Sequence, residues 1–119
     1  MLTGGPGAPV GVVIPTRDRR DLLAATLDSV LAQRDVQVEV VVVDDGSRDG
    51  TADWLRSLDD PRVRVLRNET AIGTGAARNR GLHEVTADLV AFVDDDDLWA
   101  PDKLARQVAA IEATPGAGW

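Results

Sequence analysis

The stretch VEVVVVD, residues 38–44, carries five valines in seven positions. β-Branched side chains are stiff at χ1 and favour extended backbone. A run without apolar–polar alternation needs cover on both faces, a condition met in parallel sheets with helices on either side. This segment therefore directs the chain toward an α/β architecture. VGVVI (residues 10–14) and DLVAFVD (residues 88–94) read as further buried strands, whereas RVRVLR (residues 62–67) alternates as a strand near an edge does.

Helical patterns fill the intervals. After Asp18, residues Leu23, Leu27, Val30 and Leu31 recur at helical spacing, with Asp18 and Asp21 placed as a capping pair. GSRDG is a turn whose Asp49 or Ser47 caps a helix over residues 51–58. Residues 73–85 read as a third helix, and Pro101 opens a fourth that carries Leu104, Val108 and Ile111. Strand and helix alternate four times without a linker, which predicts one α/β unit: an open, mostly parallel sheet with helices on both faces. The expected organisation is a flexible segment over residues 1–9 and a single folded unit over residues 10–119.

Composition narrows the partners. With 44% hydrophobic and 28% charged residues in 119, the chain can bury a core, and with only 3% aromatics that core must be aliphatic. The absence of cysteine excludes disulfides and thiolate metal sites. A formal charge of -7 repels phosphate backbones and anionic lipid, so a cation is a more natural partner than nucleic acid. No apolar stretch approaches the roughly 20 residues needed to cross a bilayer, and MLTGGPGAP lacks the basic start and apolar middle of a secretion signal. The expected location is the cytoplasm.

Two acidic clusters, Asp44–Asp45 and Asp94 to Asp97, stand at carboxyl ends of strands, where open α/β sheets bind ligands. If the first strand lies between the second and fourth, roughly 10 Å separates them. On an extended segment Asp94 and Asp96 point one way and Asp95 and Asp97 the other, so alternate carboxylates could face one hard cation, Mg²⁺ or Mn²⁺. The bland reading is a solvated acidic turn.

Four segments, in this order and spacing, resemble the family-two glycosyltransferases of the GT-A fold: VVIPTRDR, EVVVVDDGSRDGT, RNETAIGTGAARNRGL and FVDDDDLWAPDKL. The resemblance spans nearly everything from Val10 to Pro115. It implies a Rossmann-like nucleotide-diphospho-sugar site, a UDP- or dTDP-type donor, Mg or Mn as cofactor, and a saccharide, lipid or protein acceptor. By the same resemblance Asp45 reads the base and Asp96 holds the metal, with Asp94 and Asp95 near the ribose and metal waters and Asp94 a second metal candidate. Pro15, Thr16 and Arg17 line the donor site. Four aspartates allow two registers of the family's DxD motif, from Asp94 or from Asp95; LWAPD downstream favours the first. The loop after the first strand departs from the family, with Arg17 and Asp18 where an aromatic and Asn often stand.

The resemblance also implies an acceptor half beyond Trp119, to which PGAGW would lead and which would supply the general base. No catalytic residue is expected within these 119, and the fragment is expected to bind donor without transfer and to self-associate. A nucleotide-sugar binding module without chemistry is the alternative. A phosphoacceptor receiver domain fits less well, because the Asp pair follows the second strand and too little chain remains for five βα units. Gly73, Gly75, Ala76 and Ala77 permit close approach of a ligand or of a packed element. Arg78 either holds the diphosphate or pairs with a nearby Asp. Trp54 and Trp99 read as packing residues and His83 as structural or exposed.

Overall fold

The computed structural model describes residues 9–113. Its elements are β1 (Pro9–Thr16), α1 (Arg20–Leu31), β2 (Gln37–Asp45), α2 (Thr51–Ser57), β3 (Val63–Asn68), α3 (Thr74–Glu84), β4 (Leu89–Phe92) and α4 (Lys103–Ala113). Every strand pairing is parallel, in the order β3-β2-β1-β4. The first strand thus lies between the second and fourth, as expected. From β1 the sheet grows outward to β3, then restarts on the other side of β1, so strand order reverses between β1 and β4. A receiver domain would instead flank its first strand with the second and third.

The valine run is covered on both faces. Val10, Val12 and Ile14 of β1 and Val38, Val40 and Val42 of β2 pack with Leu23 and Leu27 of α1, Leu55 of α2 and Leu104 of α4. Val41 and Val43 turn the other way, toward Ala77 of α3. Each such side chain contributes roughly 1.5–3 kcal/mol relative to exposure. The approach of α3 depends on Gly81, where an added Cβ would lie 2.5 Å from Val13 Cγ1 and 3.0 Å from Val43 Cγ2. Of the small residues flagged in the sequence, Ala77 is buried while Gly75 and Ala76 are exposed. Trp54 and Trp99 pack at the rim of the larger core, and His83 is exposed.

Four expectations are corrected. Pro9 belongs to β1, paired with Gln37. α1 begins at Arg20 with Arg19 at its cap, and Asp18 does not cap it: at φ 54 its own N–H donates to Ser47 Oγ (2.9 Å) and its carboxylate accepts the Arg48 N–H (2.6 Å). Hydrogen bonds to the neighbouring turn outcompete the local cap. Pro101 precedes α4 rather than opening it; Gln33, just past the end of α1, accepts the Leu104 N–H (3.0 Å) and donates to the Ala100 carbonyl (2.7 Å). β4 is only half-buried, with Phe92 47% exposed, because among the described residues it pairs with β1 alone. PGAGW and residues 1–8 lie outside the described residues.

Candidate functional site

A cleft of about 400 Å³ opens at the carboxyl ends of β1, β2 and β4. From β1 and the loop after it come Pro15, Thr16, Arg17 and Arg19; from β2, Asp45. The start of α3 brings Gly73 and Thr74, and the turn after β4 brings Asp94, Asp95 and Asp96. All but one of the residues expected at the donor site therefore meet here. The exception is Arg78, one turn into α3, whose Nη2 donates to Asp94 Oδ1 at 2.7 Å. Pairing with an aspartate is one of the two roles left open for it.

The acids of β2 are built into the fold. Asp44 is fully buried and accepts from Arg67 Nη1 (2.6 Å) and from the Ser47 N–H (3.0 Å). Asp45, 5% exposed, accepts from Asn68 Nδ2 (3.0 Å) and the Ile72 N–H (2.9 Å) on one oxygen and from the Gly73 N–H (2.9 Å) on the other. Burial opposes ionisation of Asp45, but the bonds from Ile72, Asn68 and Gly73, with Arg17 nearby, outweigh it and hold the carboxyl below its ordinary value. Asn68 in turn accepts from Arg80. Gly73, at φ 96, supplies an amide directed at Asp45 just ahead of the helix.

The acids after β4 do not form an extended segment. The Asp97 N–H donates to the Asp94 carbonyl (3.1 Å), which folds residues 94–97 into a turn. The expected alternation, Asp94 with Asp96 and Asp95 with Asp97, is thereby replaced. Asp95 points inward, 7% exposed, and accepts from Thr16 Oγ1 at 2.9 Å, while Thr26 Oγ1 donates to its carbonyl at 2.9 Å. Asp96 stands beside it, and Arg19 Nη1 reaches both, 3.4 Å from Asp95 Oδ1 and 3.3 Å from Asp96 Oδ2. Asp97 is exposed and does not line the cleft.

Arg19 and Thr74 were absent from the expected set. Among the three arginines of the TRDRR loop Arg19 carries no distinguishing local signal, since its role depends on a turn 76 residues away. The loop that carries it is latched to the β2–α2 turn through Asp18, Ser47 and Arg48, and by the Arg20 N–H to Asp49 Oδ2 (3.4 Å). Asp49 also accepts the Thr51 N–H (3.0 Å), but Gly50 is the cap residue of α2 and no side chain caps that helix, so neither Asp49 nor Ser47 fills the expected capping role; Ser47 serves the latch instead.

The donor set suits a hard divalent cation. Among the described residues no three acidic or His side chains converge as a ready-made cage. Mg²⁺ and Mn²⁺ need less, since one or two carboxylates, water and substrate phosphates complete the shell. Asp94 and Asp96, with Asp95 between them, place carboxylate oxygens on one wall of the cleft, where Asp94 and Asp96 could hold such an ion. On another wall α3 begins, where first-turn amides lack intrahelical acceptors and favour an anion.

Known proteins resemble this chain in sequence and fold. A putative teichuronic acid biosynthesis glycosyltransferase of Bacillus subtilis, TuaG, is 40% identical over 101 residues, covering 83% of this chain and 40% of that protein. The mannosyltransferase PcManGT from Pyrobaculum calidifontis, solved in complex with GDP-Man and Mn²⁺, superposes with a TM-score of 0.77 at 32% identity, over 90% of this chain and 32% of that one. S. aureus TarS in complex with UDP-GlcNAc gives a TM-score of 0.80 at 30% identity, over 88% and 31%. This chain thus spans less than half the length of these relatives. The parallel sheet with its flanking helices is that of the GT-A glycosyltransferases. The family model described as glycosyl transferase family 2 matches residues 11–118, and the chain belongs to that family.

Proposed function

We propose that this chain is the donor-binding part of a metal-dependent glycosyltransferase that works with inversion, taking a UDP- or dTDP-type sugar donor and Mg²⁺ or Mn²⁺. The observation that carries the reading is the convergence of Asp45, the α3 N-terminus and Asp94 to Asp96 on one cleft at the reversal of strand order. PcManGT was solved with GDP-Man and Mn²⁺, and TarS with UDP-GlcNAc. Both support a nucleotide sugar as the ligand class here.

In this reading Asp45 accepts a hydrogen bond from the base on whatever capacity its three internal donors leave. Pro15, Thr16 and Arg17 line the nucleoside, and Thr74 faces the diphosphate from the helix end. Asp96 and Asp94 are the metal ligands, and Asp95, fixed by Thr16, sets their position. That only residues 94–96 of the four line the cleft favours the register that starts at Asp94. A bound divalent cation supplies Lewis-acid stabilisation of the nucleoside diphosphate leaving group. Deprotonating the acceptor hydroxyl requires a base within about 3 Å, and every acid that lines this cleft is engaged by an internal donor. The base is assigned to chain beyond these residues, so the fragment binds without transferring. We place the protein in the cytoplasm.

Calorimetry with UDP in Mn²⁺ and in EDTA tests the reading. Binding is expected only with the metal, Asp96→Asn should remove that dependence together with most of the affinity, and Asp97→Asn should change neither. Equal affinity in EDTA and in Mn²⁺ would sink the assignment.

A further inference from the structure

The acids of the cleft differ in how their arginines hold them. Arg78 meets Asp94 at 2.7 Å, the length of a charge-assisted hydrogen bond. Arg19 offers a single nitrogen to two carboxylates at 3.3 and 3.4 Å, beyond that range, and its side chain is 51% exposed. Its backbone, by contrast, is fixed: the Arg19 carbonyl accepts the Leu23 N–H at 2.8 Å, and the adjacent Asp18 is latched to Ser47 and Arg48. The base of the side chain is thus held at the cleft while its tip is bound by charge rather than by geometry. Asp95 cannot turn away from it, because Thr16 and Thr26 hold both its carboxylate and its carbonyl.

We infer that Arg19 is a resident counter-ion of the Asp95–Asp96 pair, displaced when a divalent cation and a nucleoside diphosphate enter together. The inference rests on the metal-dependent reading above. Without nucleotide, the guanidinium neutralises two carboxylates that would otherwise repel each other, and a cation must compete with it. With nucleotide, the diphosphate gives the displaced guanidinium a new anionic partner in the same cleft, so Asp96 is released to the metal while Asp95 stays on Thr16. Arg19 is in this sense a positioning residue that couples metal binding to nucleotide binding. By linkage, the factor by which nucleotide raises metal affinity equals the factor by which metal raises nucleotide affinity.

Mn²⁺ titrations followed by the electron paramagnetic resonance of the free ion, without nucleotide, test this on the wild-type chain and on Arg19→Gln, Arg19→Lys and Asp96→Asn. Removing the charge should tighten Mn²⁺ roughly two- to tenfold, the scale of one or two partly exposed ion pairs. Arg19→Lys, which keeps the charge, should stay near wild type. Adding UDP should raise Mn²⁺ affinity by a smaller factor in Arg19→Gln than in the wild type. Circular dichroism confirms folding, which a half-exposed side chain should not disturb. Equal Mn²⁺ affinity in the wild type and Arg19→Gln, lost in Asp96→Asn, overturns the counter-ion role and leaves the metal site standing. Equal tightening by Gln and Lys overturns it as well. Mn²⁺ binding by no variant, with or without UDP, removes the metal reading itself and this inference with it.

Discussion

The two acidic clusters at the mouth of the sheet, one ending β2 and one in the turn after β4, are held in opposite ways. Asp44 and Asp45 are buried, and five internal donors, three of them backbone amides, fix their orientation. Asp94 and Asp96 are half-exposed, and among the described residues their carboxylates are met by arginine side chains, Arg78 and Arg19. Between them Asp95 is buried on threonine hydroxyls but still open to Arg19. Backbone donors cannot leave without unfolding the loop, whereas a side-chain cation can exchange. One cluster therefore presents a fixed surface and the other an exchangeable charge, a division suited to reading a ligand on one side and admitting a cation on the other.

The comparison breaks most severely at Asp44. Asp44→Ala removes the acceptor for Arg67 and for the Ser47 amide in a fully buried position. Truncating one member of a buried pair is strongly destabilising, so the melting temperature should fall by roughly 10 °C or more. Calorimetric scanning measures it, and a change of only a degree or two would mean that the cluster is not structural.

Asp45→Ala should act next most strongly, and on the ligand. Losing one charge-assisted hydrogen bond of about 1.5–3 kcal/mol should weaken UDP roughly ten- to a hundredfold, with Mn²⁺ binding to the second cluster retained. Titrating UDP and GDP against the variant separates the roles: an unchanged nucleotide ranking would leave Asp45 as a loop anchor alone.

The smallest effect is on acid stability. Asp45 ionises below its ordinary value of 3.8, since its hydrogen bonds outweigh the cost of burial. A carboxyl with a lowered folded-state pKa stabilises the fold above the unfolded value, and that contribution disappears as pH falls through the folded one. Urea midpoints should therefore drop more steeply in the wild type than in Asp45→Asn as pH falls from about 4 toward 2. Parallel curves would show that the acid sensitivity arises elsewhere, for instance at Glu39 or Asp49, which are also held low by their hydrogen bonds to Thr86 and Thr51.

Much of this was legible in the chain. Val38 to Val43 read as buried from both sides, and with strand and helix alternating four times this pointed to a parallel sheet with helices on each face. Two strand ends were legible because VEVVVVD and DLVAFVD run into acids, so Asp45 and Asp94 to Asp96 could be assigned to one mouth from the sequence. Gly81 was not singled out, because a glycine within a helix pattern carries no local mark of the valines it must approach. Phe92 belonged to an apolar run and so read as buried; its exposure follows from the position of β4 in the sheet, which periodicity does not encode.

What the sequence determined by itself was set by short-range patterns: residue periodicity, β-branching and the order of motifs act over a few residues, and fix the identity of each element and the end at which its acids lie. Tertiary structure alone decided the left-handed Asp18 and its latch to Ser47, the start of α4 supplied by Gln33, the turn that folds residues 94–97, and the guanidinium of Arg19 across Asp95 and Asp96. The Asp18, Gln33 and Arg19 contacts join residues that lie 29 to 77 positions apart. Their partners exist only once the parallel sheet has brought distant loops together, where long-range hydrogen bonds and charge override local preference.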